Sequence, residues 1–509
     1  MKTNILLLFS VCLLVCSCAK KATPETAHIR ILSPITMQAQ SHTVVLQDYF
    51  LEPLTIDSVA VSKGFTIQLK NDGTKAEIEA ISDSIYIGNL RVWQAKNVTD
   101  IPVFASESKT VSIQIPQKNY KEVLVKGEFS NWQLQPLKLA NAQWTYITTV
   151  PPGNHQYVLV IDGVEMPDPT NDATTPNGFG GTNSLLQVPT YKTERPFIQT
   201  HKVTANGLVL EIENQCTQLK IYHGNTLLPV SAISRQDNNV QVTVPLDAYT
   251  RNALRVFGAN KFGRANDVYI PLNLGKPIEE ASQLSRTDFH SQIMYFLMVD
   301  RFKDGNPSNT RKVANDSIHP KANYYGGDLE GVLQTLESDY FTELGVNTIW
   351  LSPITQNPEG AYGLWPEPLT KFSGYHGYWP ISNTKIDDRF GTDSVFETLI
   401  ETAHQKGINV LLDYVANHVH EAHPLYKEHP DWATNLYLPD GSLNTEKWDE
   451  HRLTTWFDTF MPTLDFSKPE VVEALTDSAM YWVTRYKLDG FRHDATKHIQ
   501  LAFWRTLTQ

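Results

Sequence analysis

The sequence predicts a multidomain chain: N-terminal all-β sandwiches, then an α/β part built as a (β/α)8 TIM barrel, of which about the first four βα units are present. Three observations carry this. Runs such as TIQLK, VSIQI, KEVLVKG, YVLVIDG, LVLEIE and VQVTVPL alternate apolar and polar residues with period two, broken by Gly, Pro, Asn and Asp. From about residue 290 the pattern changes to near-continuous apolar strands joined by amphipathic helices, which means a parallel sheet covered by helices. Polar, chemistry-bearing residues then recur at the carboxyl end of each such strand, the active face of a barrel. At 509 residues the chain is too long for one ordinary domain.

The opening MKTNILLLFSVCLLVCSC has a lysine, a short apolar run and small residues, so residues 1–17 are expected to be a secretory signal. Its end resembles a bacterial lipoprotein box, which makes Cys18 the expected lipid anchor in the cell envelope, on the periplasmic side or the outer-membrane surface. Cys12 and Cys16 would leave with the signal, so Cys216 alone remains and no disulfide framework is expected. Residues 18–27 form a polar tether. Three sandwiches follow at 28–115, 116–190 and 191–275, then a linker at 276–289.

In the α/β part, 292–300 is expected to be a buried strand, 346–353 the second, 408–415 the third, and LDGFRHD the fourth. A helix is expected over about 328–344, with Leu329, Leu333, Leu336, Tyr340 and Leu344 on one stripe. Further helices are expected at 393–406, stopped by Gly407, and at 469–487, with a loop insert at 416–468. A net charge of −12 argues against nucleic acid as a partner and suits a neutral ligand gripped by aromatic faces.

In the strand at 490–494, alternate residues share a face, so Arg492 and Asp494 point one way and His493 the other. A guanidinium beside a carboxylate favours its ionised form, the form a glycosyl-transferring nucleophile requires. The longer string GFRHDATKHI (490–499) resembles the α-amylase family of retaining glycoside hydrolases letter for letter at G-F-R-x-D-x-x-K-H. The resemblance implies Asp494 as nucleophile, supported by Arg492, with Lys497 and His498 among the substrate-binding residues.

Other stretches resemble the same family. DYVANHVH (413–420) resembles its D-x-x-x-N-H signature, which implies that Asp413 braces the site, Asn417 offers an oxygen to Ca2+, and His418 binds the sugar. SGYHGYW (373–379) implies His376 as a donor to a sugar hydroxyl and Tyr378 as a stacking platform. Hard cations take several oxygens. Asp304, Asn306, Asn309, the Gly326 carbonyl and Asp328 resemble the calcium loop of cyclodextrin glucanotransferases, with Thr310 where a second asparagine is usual. MPTLDF (461–466) carries Thr463 at a position often held by a calcium-binding aspartate, and leans toward the neopullulanase and cyclomaltodextrinase branch.

The middle sandwich resembles immunoglobulin-like glycogen- and starch-binding modules. Trp132 or Trp144 would stack on a glucan there, or both would be sandwich core. The expected partner is thus an α-glucan such as starch, glycogen, pullulan or a cyclodextrin. No glutamate follows Asp494, so the general acid is expected in a longer protein of which this chain is the front part, and the 509-residue chain by itself is expected to be inactive. The alternative expectation is a glucan-binding lipoprotein without catalysis.

Overall fold

Period-two alternation becomes sheet wherever one face can be buried, and the N-terminal half follows that rule closely. The computed structural model describes residues 31–50, 56–70, 73–81, 86–95, 97–178, 180–246 and 249–508. The signal, the tether and Cys18 lie outside the described residues. Among the described residues no helix is long and apolar enough to cross a membrane.

Three two-sheet sandwiches come first. In the first, a sheet ordered Ile35–Thr36, Asn97–Phe104, Ile87–Gln94, Ser58–Val61 packs on one ordered Ser41–Val45, Lys75–Ala80, Phe65–Lys70. Ile35, Ile78, Leu90, Val92 and Ile101 fill the space between them. The second is built around Val123–Gly127 and Gly153–Ile161, the third around Gly207–Glu213 and Asn252–Asn260. The expected boundary at 115/116 is corrected. Lys109–Pro116 pairs along its length with Gln143–Val150, so VSIQI belongs to the second sandwich. Alternation marks a strand but not its partner, which is why the boundary was misplaced.

The first and third sandwiches are pinned together by polar groups. Asp100, 1% exposed, accepts hydrogen bonds from Arg91 Nε (2.8 Å), Asn89 Nδ2 (2.7 Å) and the backbone N–H of Leu227 in the third sandwich (2.9 Å). The Tyr222 hydroxyl crosses back to Asn89 Oδ1 at 2.9 Å. Cys216 is a free, buried thiol.

The α/β part is a four-stranded parallel sheet, ordered β1 (Met294–Leu297), β2 (Thr348–Leu351), β5 (Asn409–Tyr414) and β6 (Gly490–His493). Between β2 and β5 lies a hairpin of β3 (Tyr362–Pro366) and β4 (Leu369–Phe372). Helices α1 (Leu329–Glu337), α2 (Asp393–Gln405) and α3 (Pro469–Tyr486) cover one face, and α4 (Leu501–Thr508) follows β6. Phe396, Leu399, Ile400 and Ala403 of α2 are buried as the pattern predicts. Trp482 of α3 is fully buried, with its indole N–H donating to the Asn383 carbonyl at 2.9 Å.

Two expectations are corrected here. The helix expected over 328–344 ends at Glu337 and resumes as a single turn at Tyr340–Glu343. The break shifts the phase, so Phe341 is buried, while Tyr340 and Leu344 are exposed at 43% and 52%. The first strand is not buried on both faces. Tyr295 and Leu297 meet the helical layer, but Met294 and Phe296, on the opposite face, are 47% and 44% exposed. The helical layer covers one face of β1, while on the other Phe296 meets the Trp350 ring (4.3 Å) and no second layer lies over it among the described residues.

Two long-range ties fix this part to the rest. Arg286 of the linker donates to Asn409 Oδ1 (3.0 Å) and pairs with Asp489 at the amino ends of β5 and β6. Arg505 of α4 forms a two-pronged pair with Asp48 of the first sandwich, at 2.8 and 3.1 Å.

Candidate active site

Parallel pairing of β5 with β6 sets Asp413 beside Arg492, so both project from the same face at the strands' carboxyl ends. Arg492 Nη1 donates to both Asp413 oxygens (2.9 and 3.0 Å) and to Asp494 Oδ1 (3.0 Å). One guanidinium therefore clasps two carboxylates. The Asp413 side chain is fully buried and also accepts from the Tyr378 hydroxyl (2.8 Å) and Trp350 Nε1 (3.2 Å). Burial pushes the Asp413 carboxyl above the usual range, against the lowering effect of Tyr378 and Arg492. Asp494 is the less buried of the pair, its side chain 21% exposed. Ala495 follows in the left-handed region (φ 49°), a conformation uncommon for alanine that turns the chain sharply behind Asp494. His493 points the other way, into Tyr414, Phe503 and Trp504.

The loop from Ser373 to Trp379 brings in the next groups. Asn357 organises it: its Oδ1 accepts from Trp379 N (2.9 Å) and its Nδ2 donates to the Gly377 carbonyl (3.2 Å). His376 Nδ1 accepts from Tyr378 N at 3.0 Å, which leaves the ring proton on Nε2 as a donor. His418 Nε2 donates to the Tyr378 carbonyl at 3.1 Å, with Asn417 Nδ2 3.4 Å from its Nδ1. The structure thus gathers Asp413, Arg492, Asp494, Tyr378, His376 and His418 around one strand edge.

Lys497 and His498 sit against the 416–468 insert. Lys497 approaches Asp449 (3.5 Å), and buried His498 bonds the Arg452 carbonyl (2.6 Å) between Trp448 and Phe457. Of the module tryptophans, Trp132 is half-buried. Trp144 is corrected as a stacking platform: it lies in the sandwich core, 9% exposed, with Nε1 donating to Gln117 Oε1 at 3.1 Å. Its strand alternates inward at that position.

Within the cation-like loop, Asp328 caps α1 and accepts from the N–H groups of Gly305, Asn306 and Gly331 at 2.7–2.9 Å. Asn306 Oδ1 takes the Ser308 N–H and hydroxyl. Thr310 donates to Asp304 Oδ2 at 2.8 Å. The shielded Asn309 amide, by contrast, has neither atom hydrogen-bonded among the described residues, and Glu330 Oε2 is likewise unpartnered, its Oε1 accepting from Asn306 Nδ2 at 3.3 Å. These orphaned oxygens, with Asp304 and the Gly326 carbonyl, suit a hard cation. Among the described residues Asn417 Oδ1 is also buried without a partner, and the Thr463 hydroxyl donates to the Thr455 carbonyl at 2.8 Å.

Sequence reasoning missed Trp350 and Asn357. Trp350 stacks under Arg492 at 5.1 Å as well as bonding Asp413, and Asn357 acts wholly through backbone contacts. Neither lies in a local motif; only pairing of β2 with β5 brings Trp350 beside Asp413.

Buried neutral histidines surround this site. Burial pushes His376 down to about 3 and His420, His423 and His493 down to about 4. The unfolded chain takes up these protons near pH 6.5, whereas the fold does not, so stability is full above that pH and falls as pH drops toward 4. Each such histidine steepens the loss by up to about 1.4 kcal/mol per pH unit. Melting temperatures at pH 7.5 and 5 should differ strongly, and His420→Asn should lessen the difference; equal melting at both would contradict this.

Residues 296–505 match the family model "Alpha amylase, catalytic domain", and residues 111–194 match "Glycogen recognition site of AMP-activated protein kinase". The chain is 31% identical over 246 residues to a cyclomaltodextrin glucanotransferase of Geobacillus stearothermophilus, covering 45% of this chain and 34% of that protein. It is 30% identical over 231 residues to the intracellular maltogenic amylase of Bacillus subtilis, covering 43% and 35%. Among solved structures, an Anoxybacillus alpha-amylase is 32% identical over 43% of this chain and 45% of that one, with a TM-score of 0.35. The chain spans about a third of the length of the curated relatives it matches. Residues 296–505 thus resemble an alpha-amylase catalytic domain and residues 111–194 a glycogen-recognition module, and the relatives that match the former include a cyclomaltodextrin glucanotransferase and a maltogenic amylase.

Proposed function

We propose that the protein hydrolyses α-glucosidic bonds in starch-like glucans with retention, with Asp494 as the nucleophile. The observation that carries this reading is the single guanidinium of Arg492 shared between buried Asp413 and more accessible Asp494. Asp413 anchors Arg492 and the Tyr378 hydroxyl, and Arg492 holds Asp494 in one orientation. Attack by Asp494 on the anomeric carbon forms a covalent glycosyl-enzyme as the leaving oxygen departs; water then releases the sugar. Tyr378 offers an aromatic face to the ring, and the Nε2 proton of His376 is free for a sugar hydroxyl. The mechanism also needs a carboxylic acid about 5–5.5 Å from the nucleophile to protonate the leaving oxygen. That role falls to a residue outside the cluster described above. Treatment with an activated fluoroglycoside that traps the intermediate should place a mass adduct on Asp494; an adduct elsewhere, or none with an active protein, overturns the assignment.

The 111–194 module is read as the part that keeps the enzyme on its polymer. Trp132→Ala should weaken retardation by amylopectin severalfold in native gels without lowering the melting temperature, whereas Trp144→Ala should act through folding. Equal retardation of Trp132→Ala and the parent would remove Trp132 from the binding surface.

Ca2+ would be held by Asp304, Asn309 and the Gly326 carbonyl, with Asn306 and Asp328 supporting the loop. Bound there, the ion supplies structural cross-linking rather than chemistry. Calcium at a hundred times its dissociation constant should stabilise the fold by about 2.7 kcal/mol, read as a raised melting temperature that Asn309→Ala abolishes. A melting temperature indifferent to chelator would leave the loop a set of turns.

A further inference from the structure

The β3–β4 hairpin presents an apolar tip that the proposed mechanism does not use. Leu364, Trp365 and Leu369 are exposed at 66%, 57% and 74%. Its base is anchored on both strands: the Tyr362 ring packs on Trp379 (5.9 Å), His420 (4.4 Å) and Phe460 (5.1 Å), and buried Thr370 accepts from His319 N at 2.8 Å. Only the tip is uncovered.

The ribbon's register shows how Trp365 is aimed. Tyr362 pairs with Phe372 and Trp365 with Thr370, so three steps on β3 match two on β4. The extra residue is a bulge, made at Gly363 in the left-handed region (φ 64°). Without it, Tyr362 and Trp365 would lie on opposite faces. With it, both lie on the face Tyr362 uses to reach Trp379, at the end of the loop that carries His376 and Tyr378. The indole is also held in place, since Nε1 donates to the Glu367 carbonyl of the same turn at 2.9 Å. A large ring, oriented in advance and open to solvent, binds a flat apolar face at low entropic cost.

We propose that Trp365 is an outlying stacking site for a distant stretch of the glucan chain held at Asp494, giving preference for polymer over short oligosaccharide. This rests on the α-glucan reading above. The occupant is read as a sugar chain because β4 ends at Phe372, directly before the proposed sugar-contacting loop that begins at Ser373, which makes the hairpin an extension of that loop.

The test uses the full chain in a Trp132→Ala background, with amylopectin and maltotriose as probes. Trp365→Ala should weaken amylopectin retardation in native gels about threefold or more and leave maltotriose affinity unchanged, and Trp365→Phe should restore most of the loss. Equal retardation with Trp365 and with alanine would overturn the hairpin site while leaving the Asp494 reading intact. No retardation, and no maltotriose binding, by the Trp132→Ala parent would overturn both. Conversion of a dimer to a monomer by Trp365→Ala in sedimentation would make the tip a contact between copies and overturn the sugar assignment.

Discussion

In a form of the protein that turns over α-glucan, Asp494→Asn is expected to lower the rate of hydrolysis by on the order of 10⁴-fold or more, because the amide cannot form the glycosyl ester on which both half-reactions depend. The substitution is nearly isosteric, and Arg492 keeps its two bonds to Asp413, so the melting temperature should barely move. Reducing-sugar release measured beside thermal melts separates the two effects. Turnover within about tenfold of the parent would show that another group attacks the sugar.

The second large effect is on the fold. Arg492→Met retains a flexible apolar stem over Trp350 but strips the cation from Asp413, whose side chain is fully buried. Breaking a buried pair from one side typically costs about 3–5 kcal/mol. The Tyr378 hydroxyl and Trp350 indole remain as donors, so the loss should lie at the lower end of that range. It should also shrink in acid, because burial raises the Asp413 carboxyl and a protonated Asp413 no longer needs the guanidinium. Chemical denaturation of Arg492→Met, Asp413→Leu and the double variant forms the check. A double variant as unstable as the sum of the singles would mean that the two side chains are not coupled.

The parts of this molecule that could be read in the sequence are those whose cause is local. Strands β2, β5 and β6 are short apolar runs between breakers, and their expected spans differ from the observed ones by a few residues. Asp413 and Arg492 lie at strand ends and Asp494 one residue past β6, where alternation alone gives the facing direction. What could not be read depends on partners far along the chain. Periodicity carried the 328–344 helix through Ser338–Asp339, where the chain in fact breaks and swaps Phe341 inward for Tyr340. Trp144 and Trp132 look alike in the sequence, yet one faces a second sheet and the other does not. Apolar strand β1 reads as buried because composition cannot say that one of its faces lacks a covering layer among the described residues.

The pair between Asp48 and Arg505 joins groups 457 positions apart. At about 5–20 residues per second, a ribosome needs roughly 20–90 s to make the stretch between them. The first sandwich has its own core and can fold during that interval, yet its seat against helix α4 stays empty until that helix has been made. Both partners are over 40% exposed, so the pair itself contributes little. It is a late latch: helix α4 returns to a domain whose strands are complete about four hundred residues before it in the chain.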